Sequence, residues 1–265
     1  MRIIVPIKQV PETSKVKMDP ETGTMLRKGL ASIVNPLDLY AIEAALRLRE
    51  KHGGTVTAIS MGPPNAMFAL REAIALGCDD AVLLSARAFA GADTWATSYV
   101  LSKAIEKLGE YDLILCGERA TDGDTGQVGP GMAAWMDIPM STFVSKIREV
   151  DGDRIRFERM VEEGIEVLST PMPALLTVIK EVDPPRMPTL KQKLNSLKAE
   201  IPVWGPEDID AEPENLGLKG SPTRVVKIAQ PKVTRKAEMV YALKVDEAGP
   251  AARKVVDFLK ERGVL

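Results

Sequence analysis

The sequence predicts an α/β fold in which helices cover both faces of a doubly wound, mostly parallel sheet. In the first 145 residues, short apolar runs alternate with longer segments of helical periodicity, an order typical of parallel strands joined by helical crossovers. The lengths of these segments favour the doubly wound arrangement. The predicted strands cover residues 3–7, 56–61, 81–84, 113–116 and 140–144.

Four segments between these strands have the 3.6-residue periodicity of amphipathic helices. The first covers residues 36–51, where Asn35 suits the N-cap and Pro36 suits the first helical position. Its apolar stripe consists of Leu37, Tyr40, Ala41, Ala44 and Leu48. The other predicted helices cover residues 65–76, 93–108 and 125–136.

After residue 144 the pattern changes to short strands separated by turns. Turns are predicted at 151–153 and 163–164 because of their Asp and Gly residues, which indicates an antiparallel β-meander over residues 145–170. The apolar run within 171–179 is expected to return to the main sheet. We therefore expect residues 1–180 to form one α/β domain that includes the meander.

Residues 181–265 are rich in proline and charge and are predicted to form an extended arm. Prolines interrupt strand ladders and charges resist burial, so the arm should lie on another protein; the alternative is that it wraps around its own domain. Helices are predicted for residues 190–198 and 249–262. A separate hairpin or excursion is expected over residues 18–30, with its turn at 21–23.

The overall composition excludes several classes of function. The formal charge of −2 provides no field for holding a polyanion, so nucleic-acid binding is disfavoured. The sequence lacks a membrane-length apolar run and a secretory signal at its start, which predicts a soluble, cytoplasmic protein without direct membrane insertion. Cys78 and Cys116 are expected to be reduced core residues, His52 suits a helix end, and no metal site is predicted. A bound cofactor should therefore carry any chemistry.

The most informative segment is a strand followed by a loop rich in Gly, Asp and Thr and then by a helix, over residues 113–134. A glycine-rich turn at a helix N-terminus exposes unpaired backbone N–H groups and the positive end of the helix dipole, which favours phosphate. The loop matches neither the Walker pattern nor G-x-G-x-x-G. Nucleotide binding is predicted; the alternative is a tight turn capped by Asp122 or Asp124.

Four motifs then identify a resemblance that covers essentially the whole chain. The opening VPIKQVPE, VNPLDLYAIEAALRLRE over residues 34–50, DGDTGQVGP over residues 122–130 and VEEGIEVLSTPMPALLT over residues 161–177 resemble the β subunit of electron transfer flavoproteins. Phe157, four residues before the last motif, departs from the family signature, in which a smaller residue is usual. The first strand is not followed by the S-G-G-x-D-S loop of ATP pyrophosphatases, which argues against an ATP-dependent enzyme with a related sheet.

The resemblance implies a heterodimer with an α subunit that holds an electron-transferring FAD, while this chain binds an adenine nucleotide. The nucleotide contacts carried over from the family lie at predicted strand ends and helix starts, where ligands of open α/β sheets bind. They are Pro6, Asn35, Pro36, Leu37, Asp38, Met61, Asp122, Gly123, Asp124, Thr125, Gly126, Gln127, Val128, Gly129, Pro130, Gly131, Met132 and Ala133.

Which nucleotide is bound is a separate question. The run AFAGADTWATSY over residues 88–99 is similar to electron-bifurcating members of the FixA-like type, in which a second FAD replaces a structural AMP. The resemblance implies FAD in this chain, NADH as electron donor, and a flavin that extends towards Asp93, Thr94 and Thr97. The alternatives are a non-bifurcating subunit with AMP, in which Asp93 and Thr94 are ordinary helix caps, and a nucleotide-binding sensor without redox function.

The family's partner-recognition segment corresponds to residues 186–199. An apolar stripe flanked by cations suits an acidic partner surface; the alternative is an amphipathic helix packed on its own subunit. The resemblance implies dehydrogenases or quinone- or ferredoxin-linked proteins as redox partners. The candidate docking residues are Arg186, Leu190, Lys191 and Leu194.

Overall fold

The computed structural model describes residues 1–12, 32–226 and 239–265. The chain divides into two units, Met1–Val226 and Lys227–Leu265. The boundary therefore falls after residue 226 and not after residue 180, because residues 181–226 pack on the α/β domain. The excursion predicted for residues 18–30 lies outside the described residues.

The described part of the first unit contains eleven strands. In chain order they are β1 (Arg2–Pro6), β2 (Gln9–Pro11), β3 (Ser32–Val34), β4 (Thr55–Met61), β5 (Asp80–Leu84), β6 (Leu113–Gly117), β7 (Met140–Asp151), β8 (Arg154–Val161), β9 (Gly164–Pro171), β10 (Ala174–Val178) and β11 (Val203–Trp204). Nine of them form one sheet in the order β11-β5-β4-β1-β6-β10-β7-β8-β9, and β2 and β3 form a separate antiparallel pair.

The predicted α/β class and mostly parallel sheet are confirmed. From β11 to β7 every neighbouring pair is parallel, and β10 returns to the sheet between β6 and β7 as expected. The three short strands β2, β3 and β11 were not predicted, because two or three residues carry no measurable periodicity.

Helices cover both faces of this sheet. They are α1 (Pro36–His52), α2 (Met67–Leu76), α3 (Thr94–Leu108), α4 (Val128–Met136) and α5 (Leu190–Ser196). Buried residues of α1 and α2 pack with one face of the sheet, and buried residues of α3 and α4 pack with the other. The predicted start of α4 at residue 125 was wrong by three residues, since residues 125–127 belong to the preceding loop.

The predicted meander is confirmed as antiparallel, and it continues the main sheet. β7 pairs with β10 at its start and with β8 from Val144 onward. At this change of partner, Phe143 has a left-handed φ of 56°, and its N–H donates to Thr177 Oγ1 at 3.3 Å. Phe157, where the sequence departs from the family signature, is fully buried on β8 in the same core cluster as Leu48 of α1.

Residues 181–226 wrap around their own domain, which was the alternative considered for this part of the arm. Val203 and Trp204 extend the sheet beside β5, and Ile209 and Leu216 are buried in the core. The backbone N–H of Glu212 donates to the Tyr99 hydroxyl at 2.9 Å. The arm was expected to lie on another protein because of its prolines and charges, yet its few apolar residues reach the domain core.

The second unit contains α6 (Val245–Glu261), which has no buried residue. It begins four residues before the predicted position, because the Glu247 carboxylate accepts hydrogen bonds from the backbone N–H groups of Leu243 and Lys244 at 2.9 and 3.3 Å. Among the described helices of both units, none has the length and apolar character needed to cross a membrane.

Candidate functional site

The candidate site lies where the carboxyl ends of β1 and β6 meet. These strands are neighbours in the sheet, and the chain leaves them in opposite directions: α1 leads from β1 to β4, while α4 leads from β6 to β7. Such a topological switch point opens a crevice between the two connections, and open α/β sheets bind ligands there. Pro6 ends β1 and Met61 ends β4, so both predicted residues lie at this edge of the sheet.

A close approach between β6 and α1 brings the predicted residues 35–38 to the loop that follows β6. A Cβ atom on Gly117, the last residue of β6, would lie 2.8 Å from the carbonyl carbon of Leu37 and would also collide with the Asp38 carboxylate. Only glycine fits between these two backbones without displacing one of them. Gly117 was not among the predicted site residues.

Asn35 is the N-cap residue of α1 and Pro36 is its first residue, as predicted, although the Asn35 side chain makes no capping hydrogen bond. Its Nδ2 instead donates to Asp38 Oδ1 and to the carbonyl oxygen of Arg119, both at 2.9 Å. Its Oδ1 accepts from the backbone N–H of Thr121 at 3.1 Å. The Asn35 side chain therefore links α1 to the loop after β6.

The Asp38 carboxylate faces protein donors in the interior. Besides the bond from Asn35, its Oδ2 accepts from the backbone N–H of Lys8 at 2.7 Å. The pKa of Asp38 is raised to about 7, because burial outweighs the lowering effects of the hydrogen bonds from Asn35 and Lys8 and of the Lys8 charge. Asp38 was expected to contact a nucleotide directly. In the structure its carboxylate accepts hydrogen bonds from Asn35 and Lys8 in the interior.

Ion pairs hold the acidic residues of the glycine-rich loop. Lys8 Nζ lies 2.6 Å from Asp122 Oδ1, and Arg119 Nε lies 3.2 Å from Asp124 Oδ1. The turn itself is closed by backbone hydrogen bonds from Gly123 and Asp124 to the carbonyl of Ala120, at 3.3 and 2.8 Å. The two carboxylates are thus engaged with cations, which reduces their repulsion of an anionic ligand.

The backbone N–H groups of residues 125–129 donate to no acceptor in the described part of the chain. They lead into the N-terminus of α4, and they include Thr125, Gln127 and Val128 from the predicted contacts. Gly126 has a left-handed φ of 63°. This run of free donors at the positive end of a helix dipole is suited to a phosphate or pyrophosphate.

Four other predicted contact residues in α4 pack against the rest of the domain. A Cβ on Gly129 would lie 2.7 Å from Thr177 Cγ2, and one on Gly131 would lie 2.6 Å from Ser98 Oγ, so these glycines let α4 approach β10 and α3. Met132 and Ala133 are buried in the apolar core, and their side chains are therefore turned away from solvent. Pro130 has no N–H to offer a ligand.

At the start of α3, the cap that the sequence analysis considered for Asp93 is present. Asp93 Oδ1 accepts from the N–H groups of Trp95 and Ala96 at 3.0 and 3.1 Å, and Oδ2 accepts from the N–H and hydroxyl of Thr223 at 3.0 and 2.7 Å. Thr94 and Thr97 are half-buried in the first turn, and their hydroxyls donate to no acceptor within the described ranges.

The candidate docking residues separate into two groups. Leu190 and Leu194 on α5 are 75% and 54% exposed, and Lys191 beside them is also exposed. Arg186, by contrast, donates to Glu43 and Glu50 on α1, so its guanidinium holds this segment on the domain. The side of α5 that packs on the domain contains Ser196, whose carbonyl accepts from Arg71 Nη1 at 2.7 Å.

The two cysteines and the single histidine are not arranged as a catalytic site. Cys78 and Cys116 are free and buried, and burial raises the pKa of the Cys78 thiol to about 12. His52 is the last residue of α1, followed by Gly53 at the helix end. Within residues 1–12, 32–226 and 239–265, no cluster of His, Cys, Asp and Glu side chains is arranged to hold a metal ion.

Comparison with known proteins decides the family. Residues 22–209 match the model of the electron transfer flavoprotein domain. The chain belongs to this family. It is 48% identical to the electron transfer flavoprotein subunit beta of Thermoanaerobacterium thermosaccharolyticum, and the match covers 100% of both chains. It is 44% identical to the caffeyl-CoA reductase-Etf complex subunit CarD of Acetobacterium woodii, again over 100% of both, and 40% identical to Protein FixA of Azorhizobium caulinodans over 99% of this chain and 95% of that protein.

The resemblance of this electron transfer flavoprotein chain to β subunits is thus confirmed. Several residues around the candidate site, however, were not predicted. Lys8, Gly117, Arg119 and Thr121 all take part in the geometry around the crevice. Gly117 could have been found, since a glycine directly after a buried strand often marks a close backbone approach. The other three act through contacts between segments that are distant in sequence.

Proposed function

We propose that this chain is the nucleotide-binding subunit of a heterodimeric electron transfer flavoprotein and that its nucleotide is FAD. The observation that carries the proposal is the run of free backbone N–H groups at residues 125–129, at the start of α4 and beside the switch point of the sheet. A nucleotide with a pyrophosphate can use more of these donors than AMP can.

Each part of the site has a role in this proposal. The N–H groups of residues 125–129 and the dipole of α4 hold the phosphates, and Lys8 adds a nearby positive charge. The first turn of α3, with the Thr94 and Thr97 hydroxyls, lies next to α4 through the contact of Gly131 with Ser98 and offers hydrogen bonds to a flavin ring. The flavin, when bound, supplies the hydride and single-electron chemistry that the side chains lack.

Asp93 enters this proposal in a supporting role. Its two carboxylate oxygens already accept four hydrogen bonds from Trp95, Ala96 and Thr223, which uses their lone-pair sites. We infer that Asp93 fixes the first turn of α3, and that Thr94 and Thr97 make the direct contacts to the flavin.

We further propose that NADH donates the electrons and that they divide between two acceptors, with a second FAD in the α subunit. The similarity of residues 88–99 to bifurcating members supports this. One relative is named as a subunit of a caffeyl-CoA reductase-Etf complex, which supports an association with a dehydrogenase-type partner. A quinone- or ferredoxin-linked redox protein is the other class of partner that we propose. The exposed Leu190, Lys191 and Leu194 are proposed as the docking surface, and the cytoplasm as the location.

The test is a count of cofactors in the complex purified with its α subunit. Visible absorption and chromatography of the released nucleotides should give two FAD per heterodimer, and NADH should reduce a low-potential acceptor only when a high-potential acceptor is also present. One FAD with one AMP would replace the bifurcating proposal with the structural-AMP alternative. A complex with nucleotide but without flavin would indicate the sensor.

A further inference from the structure

Asn35 is completely buried, with 0% of its surface exposed, yet all of its side-chain polar atoms have partners. A buried amide requires such partners, since an unsatisfied one costs folding free energy. Two of the partners, the carbonyl of Arg119 and the N–H of Thr121, belong to the loop that follows β6. The Asn35 amide therefore binds the loop backbone on both sides of Ala120, as a neighbouring strand would.

Asp38 determines which way this amide points. Its Oδ1 accepts from Asn35 Nδ2 at 2.9 Å, so the opposite orientation would place Asn35 Oδ1 against a carboxylate oxygen. The flipped amide would also face the Arg119 carbonyl and the Thr121 N–H with the wrong atoms. Asp38 is itself fixed by the Lys8 N–H on its other oxygen at 2.7 Å.

The loop segment held in this way leads directly to the proposed phosphate donors. Residues 119–121 precede the turn closed on the Ala120 carbonyl, and the free N–H groups begin four residues after Thr121. Donors for an anion are effective when their positions are set before the anion arrives. The backbone on which residues 125–129 depend is thus anchored by two side chains from the start of α1.

We propose that Asn35 and Asp38 form a clamp that positions the loop and thereby sets the affinity of the site for the phosphate of its nucleotide. The proposal rests on the proposed nucleotide-binding function, and it assigns Asn35 and Asp38 a positioning role in place of direct contact. The affinity for the nucleoside part should depend little on the clamp, because residues 119–121 act on the phosphate side.

The experiment compares AMP with adenosine, which lacks only the phosphate. The full chain is purified with its partner subunit, dialysed extensively, and titrated calorimetrically with each compound. In the wild type AMP should bind more tightly than adenosine. In Asn35→Ala the ratio of the two affinities should fall about tenfold, as expected from the loss of two loop hydrogen bonds, and amide hydrogen exchange at residues 119–121 should accelerate.

Glu43→Gln is the matched control. Glu43 lies on the same helix and is equally buried, but its carboxylate binds Arg47 and Arg186. This variant should therefore keep the wild-type ratio of AMP to adenosine affinity even if it is less stable. Asp38→Asn provides a second variant, since it keeps the side-chain shape but leaves a single acceptor oxygen for two donors, Asn35 Nδ2 and the Lys8 N–H. It tests the clamp if Asn35→Ala does not fold.

The outcomes separate the clamp from the proposed function. A wild-type complex that chromatography shows to hold no residual nucleotide at this site, and that then binds neither AMP nor adenosine, would overturn nucleotide binding itself. If the wild type binds AMP more tightly than adenosine and the clamp variants keep that ratio, the clamp is overturned while nucleotide binding stands. An equal loss of the ratio in Glu43→Gln would also overturn the clamp, because the effect would then follow from general destabilisation.

Discussion

The guanidinium of Arg186 and the carboxylate of Glu43, 143 positions apart in the chain, form a two-point ion pair with nitrogen–oxygen distances of 2.7 and 3.1 Å. Only 1% of the Glu43 side chain is exposed. A third bond joins Arg186 to Glu50 on the next turns of α1 at 2.5 Å. One arginine thus ties the segment after β10 to the first helix of the domain.

Arg186→Ala should destabilise the protein and release this segment. Glu43 would be left as a buried charge without its main partner, and removing one partner of a fully buried pair costs about 3–5 kcal/mol. We expect about 2–4 kcal/mol here, because Arg47 remains bound to Glu43 and Arg186 is partly exposed. Urea unfolding should give the difference in free energy, and limited proteolysis should reveal faster cleavage within residues 181–199. Lys191→Ala, an exposed cation on α5 without an observed ion pair in the described residues, serves as the control. Unchanged cleavage in Arg186→Ala would contradict the anchoring role.

The same ion pair should weaken in acid. Burial alone raises the pKa of Glu43, but the hydrogen bonds from Arg186 and Arg47 bring the pKa below its usual value. A lowered pKa contributes stability that is present above the pKa of the unfolded chain and is lost as the pH falls through the folded value. The stability difference between wild type and Glu43→Gln should therefore shrink below about pH 4. A difference that stays constant from pH 7 to pH 3 would contradict this.

Valine at Gly126 or Gly129 should release the nucleotide. Gly126 has a left-handed backbone that a β-branched residue does not tolerate, and a Cβ at Gly129 would collide with Thr177. Bound nucleotide is measured by chromatography after the complex is denatured. Gly123→Ala is the matched control in the same loop, since no atom lies within 4 Å of the added Cβ. Full retention in both valine variants would exclude the loop as the phosphate site.

Asp38 should make the nucleotide-free protein less stable as the pH rises from about 5 to 7. Burial raises the pKa of Asp38 to about 7, so in this range the folded chain holds a proton that the unfolded chain has lost, and stability falls with increasing pH. The fall should be on the order of 2 kcal/mol, measured by urea unfolding. Asp38→Asn should flatten the profile over this window, and Glu43→Gln should not. Identical slopes for wild type and Asp38→Asn would contradict the assignment.

Leu190→Glu should impair electron transfer to the partner protein without affecting the fold. The side chain is exposed, so an acidic replacement costs little stability but removes an apolar anchor and repels an acidic partner. The measurements are the thermal midpoint of unfolding and the concentration of partner that gives half-maximal transfer. Met140→Glu places the same charge at another exposed apolar position, on β7, and should leave transfer intact. Equal transfer in both variants would reject α5 as the docking surface.

The α/β class was predictable because its signal is local. The strands β1 and β6 are built on continuous apolar runs, and α1 carries its stripe and its first-turn proline within seventeen residues. The prediction that residues 122–130 bind phosphate likewise rests on local features, namely the density of glycines and the helix that follows. The resemblance to β subunits added positions for the ligand at the same strand ends.

The fold class and the family could be read from the sequence alone, since they depend on short-range periodicity, composition and motifs, and the same kind of signal predicts the phosphate-type loop. Three arrangements are visible only in the folded chain: the Asn35 side chain binds the loop after β6, Asp93 is saturated by its own helix and Thr223, and Arg186 anchors the segment after β10 to α1. Hydrogen bonds and ion pairs between residues tens to more than a hundred positions apart produce these arrangements. Each residue meets its partner only when the chain folds, so no short stretch of sequence predicts these contacts.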